Sequence, residues 1–340
     1  MCKVGLSKGK VIVMPEQGAP QHPAPLRFKA DWGGANLTRA AGWLAQWVYE
    51  HTADQRLSVI CTGRGMGDNL HALGTGEVDV AFATPASFAR LAAEGRGPFA
   101  GRPVPGLVAI AALPHRDAMV PVVRSDLGLR TLADVAAYPG PLRVSLGRDD
   151  PDGFMGFGGN AVLEAGGVDL AAIVDRGGTV TRHEQPFDAV HDLREGRADL
   201  MVSEAIMTPD WQQLAAGRDV TFLSLSSAEA AVLRGRWGLE TIDIPAGYFP
   251  GLREPVTALN YSDWILATTR DLPDDTARLL ARAIIEDGES FARGYRHLPA
   301  DYSPLRYPID YRLARATALD LHPAAALEYQ EADRVPTQVA

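Results

Sequence analysis

The first candidate binding segment is DWGGAN, residues 31–36, which follows an apolar run and opens a helical pattern. Free backbone N–H groups and the dipole at a helix start favour an anion, and glycines let a ligand approach the main chain closely. The candidate ligand-binding residues of this segment are Asp31, Trp32, Gly33, Gly34 and Asn36. The segment also suits an ordinary strand–helix turn in which Asp31 or Asn36 caps the helix.

Polar residues also end the second and third apolar runs of the chain. The segment CTGRG supplies Thr62, Gly63 and Arg64, and TPAS supplies Thr84 and Ser87. The planar guanidinium of Arg64 matches a carboxylate, so Arg64 is the candidate anion clamp; the alternative is an arginine that only faces solvent. The hydroxyl groups of Thr84 and Ser87 suit either a ligand oxygen or the cap of a helix.

A second group of candidates is acidic and suits a ligand of opposite charge. The long glycine-rich loop GRDDPDGFMGFGG, which should precede a helix, carries Asp149, Asp150 and Gly153, and Glu204 ends a later apolar run. A carboxylate at Glu204 beside Asp149 and Asp150 would suit a ligand ammonium group, and the alternative is a solvated charge. The loop lacks the ligand spacing of an EF-hand, so no metal site is expected.

No catalytic or cofactor-binding pattern emerges from the chain. The eight histidines are scattered without an H-E-x-x-H pair, and neither G-x-S-x-G nor G-x-x-x-x-G-K-[ST] occurs. The glycines of GFMGFGG do not match G-x-G-x-x-G. We therefore expect no cofactor and no enzymatic activity.

Composition narrows the class of protein. The chain has 340 residues, a net charge of −9 and a pI of about 5.4, which argues against a nucleic-acid partner. Residues 1–25 are rich in Pro, Gly and Gln and are expected to form a flexible arm. Their one short apolar patch does not make a recognisable signal peptide, so a cytoplasmic location stays open.

A repeated phrase defines the organisation of the chain. HALGTGEVDVAFAT, residues 71–84, recurs in altered form as HDLREGRADLMVSE, residues 191–204, and each copy belongs to a β-α-β-α-β pattern. The sequence therefore predicts an α/β protein of two lobes, each a doubly wound mixed sheet with helices on both faces. Lobe I would comprise 26–118 and 256–330, lobe II 119–255, and a tail 331–340.

The ends of the predicted strands should meet between the two lobes. Ligands of open α/β sheets bind beyond the carboxyl ends of the strands, near helix N-termini. Tyr261 lies where the chain should return to lobe I, and it suits either a cleft wall or the core.

Several ordered motifs resemble one known family. DWGGANL, CTGRGMGDNLHAL, GEVDVAFAT, RGPFAG, VVRSDLGLRTLADV and IPAGYFPGLREPV are together similar to the TAXI family, the solute-binding subunits of TRAP transporters. The resemblance covers roughly residues 26–330. It implies a type II periplasmic-binding-protein-like fold (a Venus flytrap) that captures a small organic acid or amino acid.

The resemblance also implies a partner and a location. The partner would be a TRAP membrane permease subunit, and the location would be periplasmic or otherwise extracytoplasmic. The alternative is a cytoplasmic ligand sensor or enzyme built on the same two-lobed scaffold.

Overall fold

Strands and helices alternate from Leu26 onward in the computed structural model, which describes residues 24–31, 33, 36–297, 305 and 309–334. Residues 1–23 of the expected arm and 335–340 of the expected tail lie outside the described residues. The first lobe begins with β1 (Leu26–Lys29), α1 (Asn36–Glu50), β2 (Ser58–Cys61), α2 (Met66–Gly74), β3 (Val80–Ala83), α3 (Phe88–Glu94) and β4 (Leu107–Leu113).

The second lobe repeats this alternation with a larger sheet. Its elements are β5 (Ala118–Arg124), α4 (Leu132–Ala137), β6 (Arg143–Gly147), α5 (Phe154–Ala165), α6 (Leu170–Asp175), β7 (Thr179–His183), α7 (Pro186–Glu195), β8 (Leu200–Ser203), α8 (Pro209–Gly217), β9 (Val220–Phe222), α9 (Ser227–Trp237), β10 (Thr241–Ile244) and β11 (Val256–Asn260). The chain then returns with β12 (Trp264–Thr269), α10 (Asp274–Arg293), α11 (Tyr311–Ala314) and α12 (Pro323–Arg334).

Each lobe is built on one mixed sheet. The first sheet has the order β2-β1-β3-β12-β4, in which β1 pairs in parallel with β2 and β3, and β12 is antiparallel to both of its neighbours. The second has the order β10-β11-β5-β8-β6-β7, with β9 also paired to β5. The predicted two-lobed α/β class with mixed sheets is confirmed.

The return to the first lobe comes slightly later than the sequence suggested. Strand β11 pairs with β10 and β5, so it belongs to the second sheet, and the crossing lies between Asn260 and Trp264. The other crossing joins Leu113 to Ala118. Polar residues of both crossings therefore lie side by side where the lobes join.

The repeated phrase forms the same clamp in both lobes. The backbone N–H of Arg27 donates to Asp79 at 2.8 Å, and its guanidinium contacts the same carboxylate at 2.6 Å. Arg143 makes the equivalent bonds to Asp199 at 2.9 and 2.6 Å. In each lobe the repeated aspartate thus holds the start of one strand against the start of its neighbour in the sheet, β1 against β3 and β6 against β8. Each copy of the phrase ends at a strand terminus between the lobes.

Gly156, Gly158 and Gly159 of GFMGFGG lie inside helix α5 and not in a loop as the sequence suggested, whereas Gly153 precedes the helix. A Cβ at Gly156 would lie 2.0 Å from the carbonyl oxygen of Arg148, and one at Gly158 would lie 2.9 Å from the sulfur of Met119. These glycines allow the helix to pack closely against the neighbouring main chain and strand β5. Among the described residues, no helix is both long and apolar enough to span a bilayer.

Candidate functional site

Two adjoining cavities lie between the lobes and form the candidate site. Their volumes are about 40 and 70 Å³, and Met66, Thr84 and Glu204 line both. The smaller cavity, here the inner cavity, is also lined by Arg64, Gly65, Arg148, Gly153, Phe154, Met155, Glu184 and Tyr261. The larger, here the hinge cavity, is also lined by Asp31, Asn36, Leu37, His115, Asp117, Pro186, Phe187, Ala205, Met207, Thr208 and Trp264.

Two carboxyl groups meet at the wall between the cavities. The side chains of Asp117 and Glu204 are hydrogen-bonded to each other, and these residues are 1% and 8% exposed. Asp117 also accepts backbone N–H bonds from Ala118, Ala205 and Ile206 at 2.8, 3.1 and 3.0 Å. Buried carboxyl groups in contact cannot both ionise, so this acidic pair shares a proton.

The proton of the acidic pair resides on Glu204. Burial raises the pKa of Asp117 to about 7, and burial together with the charge of Asp117 raises the pKa of Glu204 well above its usual range. The three N–H donors stabilise the charged form of Asp117, whereas Glu204 has no such set. Ala205 adopts a φ of +66°, a region disfavoured for a residue with a side chain, and its N–H donates to Asp117.

Two buried polar side chains beside the acidic pair have no hydrogen-bond partner among the residues that the structure describes. The Tyr261 hydroxyl and both ring nitrogens of His115 are unsatisfied, and each residue is 1% exposed. His115 Nε2 lies 3.9 Å from Asp117, and burial lowers the pKa of His115 to about 3, so the ring is neutral. An unsatisfied buried polar group costs about 1–3 kcal/mol, which makes these atoms natural contacts for a ligand.

The cationic residues of the inner cavity are already paired. Arg64, whose side chain is 70% exposed, contacts Asp152 of the other lobe at 2.6 Å. Arg148 donates to Glu184 at 2.8 Å and to the Arg64 carbonyl at 3.1 Å, and it also pairs with Asp150. The structure therefore presents Arg64 as a bridge between the lobes.

The loop before α5 docks on the start of α2 in the other lobe. The N–H groups of Gly67 and Asp68 donate to the Asp152 carbonyl at 2.9 and 3.2 Å. A Cβ on Gly65 would lie 2.1 Å from that oxygen, and one on Gly67 would lie 2.0 Å from the Pro151 carbonyl. A protein carbonyl thus occupies the helix N-terminus that an anionic ligand would use.

Aromatic side chains close the lobes behind this loop. Phe88 and Phe99 of the first lobe contact Phe154 of the second at ring-centroid distances of 5.0 and 5.8 Å. Phe88 also contacts Phe157 and Tyr261 at 5.6 and 5.7 Å. The cleft therefore has an apolar floor and is closed in this structure.

The first candidate segment mainly begins helix α1. Asp31 accepts N–H bonds from Leu37 and Thr38 at 2.9 and 3.3 Å and lines the hinge cavity, as does Asn36. Gly33 has a φ of +98°, and its N–H donates to the Asp31 carboxylate within the same turn at 3.0 Å. Trp32 and Gly34 lie outside the described residues.

The other sequence candidates divide into two groups. Thr84, Arg64, Gly153, Glu204 and Tyr261 come together at the inner cavity. The remaining candidates line neither cavity; they are Thr62, Gly63, Ser87, Asp149 and Asp150.

Each of the remaining candidates has another position or partner. Asp149 lies 3.7 Å from Arg182 and borders a separate hollow of lobe II, and Asp150 accepts the N–H bonds of its own loop at 3.0 and 3.1 Å. Ser87 begins α3, and Gly63 packs against Asn69. Thr62 is exposed. The acid beside Glu204 is thus Asp117, with Asp149 and Asp150 elsewhere.

Sequence reasoning missed Asp117 and His115. Both lie in PHRDAM, a polar interruption of two strongly apolar strands. That interruption at a crossing between lobes was the available signal. Among the residues that the structure describes, no group of three or more His, Cys, Asp or Glu side chains could hold a metal.

Comparisons with known proteins agree with the fold. The model of the NMT1-like family matches residues 40–332. The periplasmic binding protein BugD has a TM-score of 0.50 at 14% identity, and the match covers 91% of this chain and 94% of the BugD chain. PhnD1 from Prochlorococcus marinus, in complex with methylphosphonate, has a TM-score of 0.49 at 10% identity. The match covers 80% of this chain and 88% of PhnD1. The likeness to BugD confirms the type II periplasmic-binding-protein-like fold, and no curated protein matches the sequence.

Proposed function

The chain belongs to the NMT1-like family, and on that premise we propose that it is an extracytoplasmic solute-binding receptor. It captures a small organic acid or amino acid between its lobes and delivers it to the permease subunit of a TRAP-type transporter of the TAXI class. The observation that carries the proposal is the interlobe position of unsatisfied, buried polar atoms on Tyr261 and His115 beside Glu204. Polar atoms that form no hydrogen bond do not stabilise either sheet, so their position between the lobes points to a ligand.

The mechanism is closure of the two lobes around the ligand. Thr84 and Arg64 come from the first lobe and Glu204 and Gly153 from the second, so a ligand in the inner cavity contacts both lobes only when they are closed. Such a ligand shifts the open–closed equilibrium by its differential affinity for the closed form. The permease would then recognise the closed form.

The TRAP assignment rests on the motifs that resemble the TAXI family. The most telling of them, IPAGYFPG, packs in lobe II, where Tyr248 and Phe249 are 6% and 1% exposed. Phe249 stacks on Phe222 at 4.9 Å and on Trp211 at 5.8 Å. This motif therefore supports the two-lobed scaffold of the proposed class. The identity of the ligand depends on the residues that line the cleft.

A thermal-shift screen against small carboxylates, amino acids and amines tests the receptor function. A ligand present at about 100 times its Kd stabilises the folded protein by about 2.7 kcal/mol, which is a shift of several degrees at most. We expect at least one compound to raise Tm in a concentration-dependent manner. A Tm that none of these compounds changes would contradict the proposal.

The permease partnership needs its own test. We expect a closed, ligand-loaded receptor to support uptake of that ligand by membrane vesicles that contain a TRAP permease encoded beside it. Uptake that does not depend on added receptor would contradict the transport assignment while leaving ligand capture intact.

A further inference from the structure

We propose that the acidic pair Asp117–Glu204, with the Tyr261 hydroxyl beside it, is an ammonium subsite and that the solute carries a protonated amine. This inference rests on the proposed receptor function and narrows its ligand class. The juxtaposition that carries it is one buried acidic pair and one unsatisfied buried hydroxyl at the same cavity wall.

The charges around the cavities favour a cation. The two cavities together are lined by the cations Arg64 and Arg148 and by the acids Asp31, Asp117, Glu184 and Glu204. Both arginines are engaged by carboxylates at the rim, so neither neutralises the acidic pair. His115, with Nε2 at 3.9 Å from Asp117, is neutral and supplies no positive charge either. A ligand ammonium supplies the positive charge that these protein groups do not.

The available hydrogen bonds match an ammonium group as well. One carboxyl oxygen of Asp117 accepts two backbone N–H bonds and the other accepts one. Glu204 uses its proton to bond Asp117, and the Tyr261 oxygen has no partner within the described part of the chain. An ammonium has three donors, and Glu204, Tyr261 and a Thr84 oxygen all line the inner cavity to accept them.

Binding there displaces one proton. The arriving ammonium favours the ionised form of Glu204, so the proton that Glu204 shares with Asp117 passes to the buffer. A carboxylate without an amine lacks this effect, because it would place a second negative charge against the acidic pair, which already carries one.

The test uses matched compounds that differ by one amine. Isothermal titration calorimetry compares L-glutamate with glutarate and 4-aminobutyrate with butyrate, in buffers of different ionisation enthalpy. We expect the amine-bearing member of at least one pair to bind, with release of a proton, and its deaminated partner to bind at least about tenfold more weakly. Glu204→Gln should weaken amine binding by roughly 10–100-fold and abolish proton release.

Two control variants separate the site from general damage to the fold. Glu240→Gln makes the same chemical change at an exposed pair with Arg234 and should leave affinity and proton release unchanged. Tyr261→Phe removes only an unpartnered hydroxyl, so it should fold normally and weaken the amine without changing proton release.

The outcomes distinguish this inference from the function on which it rests. Equal or tighter binding of glutarate or butyrate, or full affinity in Glu204→Gln, would overturn the ammonium subsite and leave the receptor function standing. A protein that binds neither members of the pairs nor any compound of the thermal-shift panel would overturn both.

Discussion

Arg64 of the first lobe and Asp152 of the second form a 2.6 Å ion pair across the mouth of the cleft. The Asp152 carbonyl accepts the Gly67 N–H beside it, at 2.9 Å. The closed arrangement is therefore held by contacts within the protein itself, and a ligand need only add to them.

The Arg64–Asp152 pair gives the first prediction. Because Arg64 is largely exposed, its pair with Asp152 is a surface salt bridge worth about 0.2–1 kcal/mol. We expect Arg64→Ala and Asp152→Asn to weaken binding of the amine identified by the titrations equally, and the double variant to be no worse than either one. Calorimetric Kd values for the three variants measure this coupling. A loss on the scale of ~3 kcal/mol from Arg64→Ala alone would show instead that Arg64 clamps the ligand directly.

The glycine at the start of α2 gives the second prediction. A Cβ at Gly67 would lie 2.0 Å from the Pro151 carbonyl, so Gly67→Ala must separate the lobes at this point. We expect a larger radius of gyration in small-angle X-ray scattering and a lower Tm. Gly42→Ala is the matched control, because no atom lies within 4 Å of its Cβ and α1 should gain up to about 1 kcal/mol from alanine. Identical scattering from the two variants would contradict the docked loop.

The acidic pair gives the third prediction, a dependence of stability on pH. The pKa of Asp117 is raised from 3.8 to about 7, so its contribution to the free energy of unfolding is complete below pH 3.8 and is lost as pH rises through about 7. His115, with a pKa of about 3, and Tyr261, whose pKa is raised, stay neutral over this range. The pKa of Glu204 is also raised, by burial and by the charge of Asp117, so the contribution of Glu204 is lost as pH rises above its usual pKa of 4.5. Glu204→Gln removes this loss and should therefore gain stability relative to the native protein as pH rises above 4.5.

Urea unfolding at several pH values checks this difference. The exposed Glu240→Gln variant serves as the control and should follow the native protein at every pH. A constant difference between Glu204→Gln and the native protein would contradict a shared proton in the acidic pair.

The duplicated clamp gives the fourth prediction. The pKa values of Asp79 and Asp199 are both lowered; burial opposes this, and the hydrogen bonds and charges of Arg27 and Arg143 outweigh it. Their stabilising contribution is present above the unfolded pKa of 3.8 and is lost as pH falls below it. Asp199→Asn should be the more destabilising substitution, by about 1–3 kcal/mol, because Arg124 also binds Asp199 at 2.8 Å.

Thermal unfolding at neutral pH and at about pH 3 measures both variants. The difference of each variant from the native protein should be smaller in acid than at neutral pH. A larger effect of Asp79→Asn than of Asp199→Asn would contradict the equivalence of the two clamps and the added role of Arg124.

The sequence predicted the two lobes because hydrophobic periodicity and a repeated Asp are local signals. It could not predict the partner of Glu204, since Asp117 lies 87 positions away and meets it only through the antiparallel pairing of β5 with β8. It also misplaced the start of α5, because glycines that usually indicate a loop here allow close packing. The acidic loop suited a ligand by composition alone, whereas Asp149 pairs with Arg182 of β7, and Asp150 pairs with Arg148 and accepts N–H bonds of the loop backbone.

The most direct measurement is the crystal structure of the protein with the compound that gives the largest thermal shift. We expect ligand density between the lobes, with an amine nitrogen within hydrogen-bond distance of the Glu204 carboxyl group and the Tyr261 hydroxyl. Density on the outer surface of either lobe, or a ligand carboxylate against the acidic pair, would contradict it.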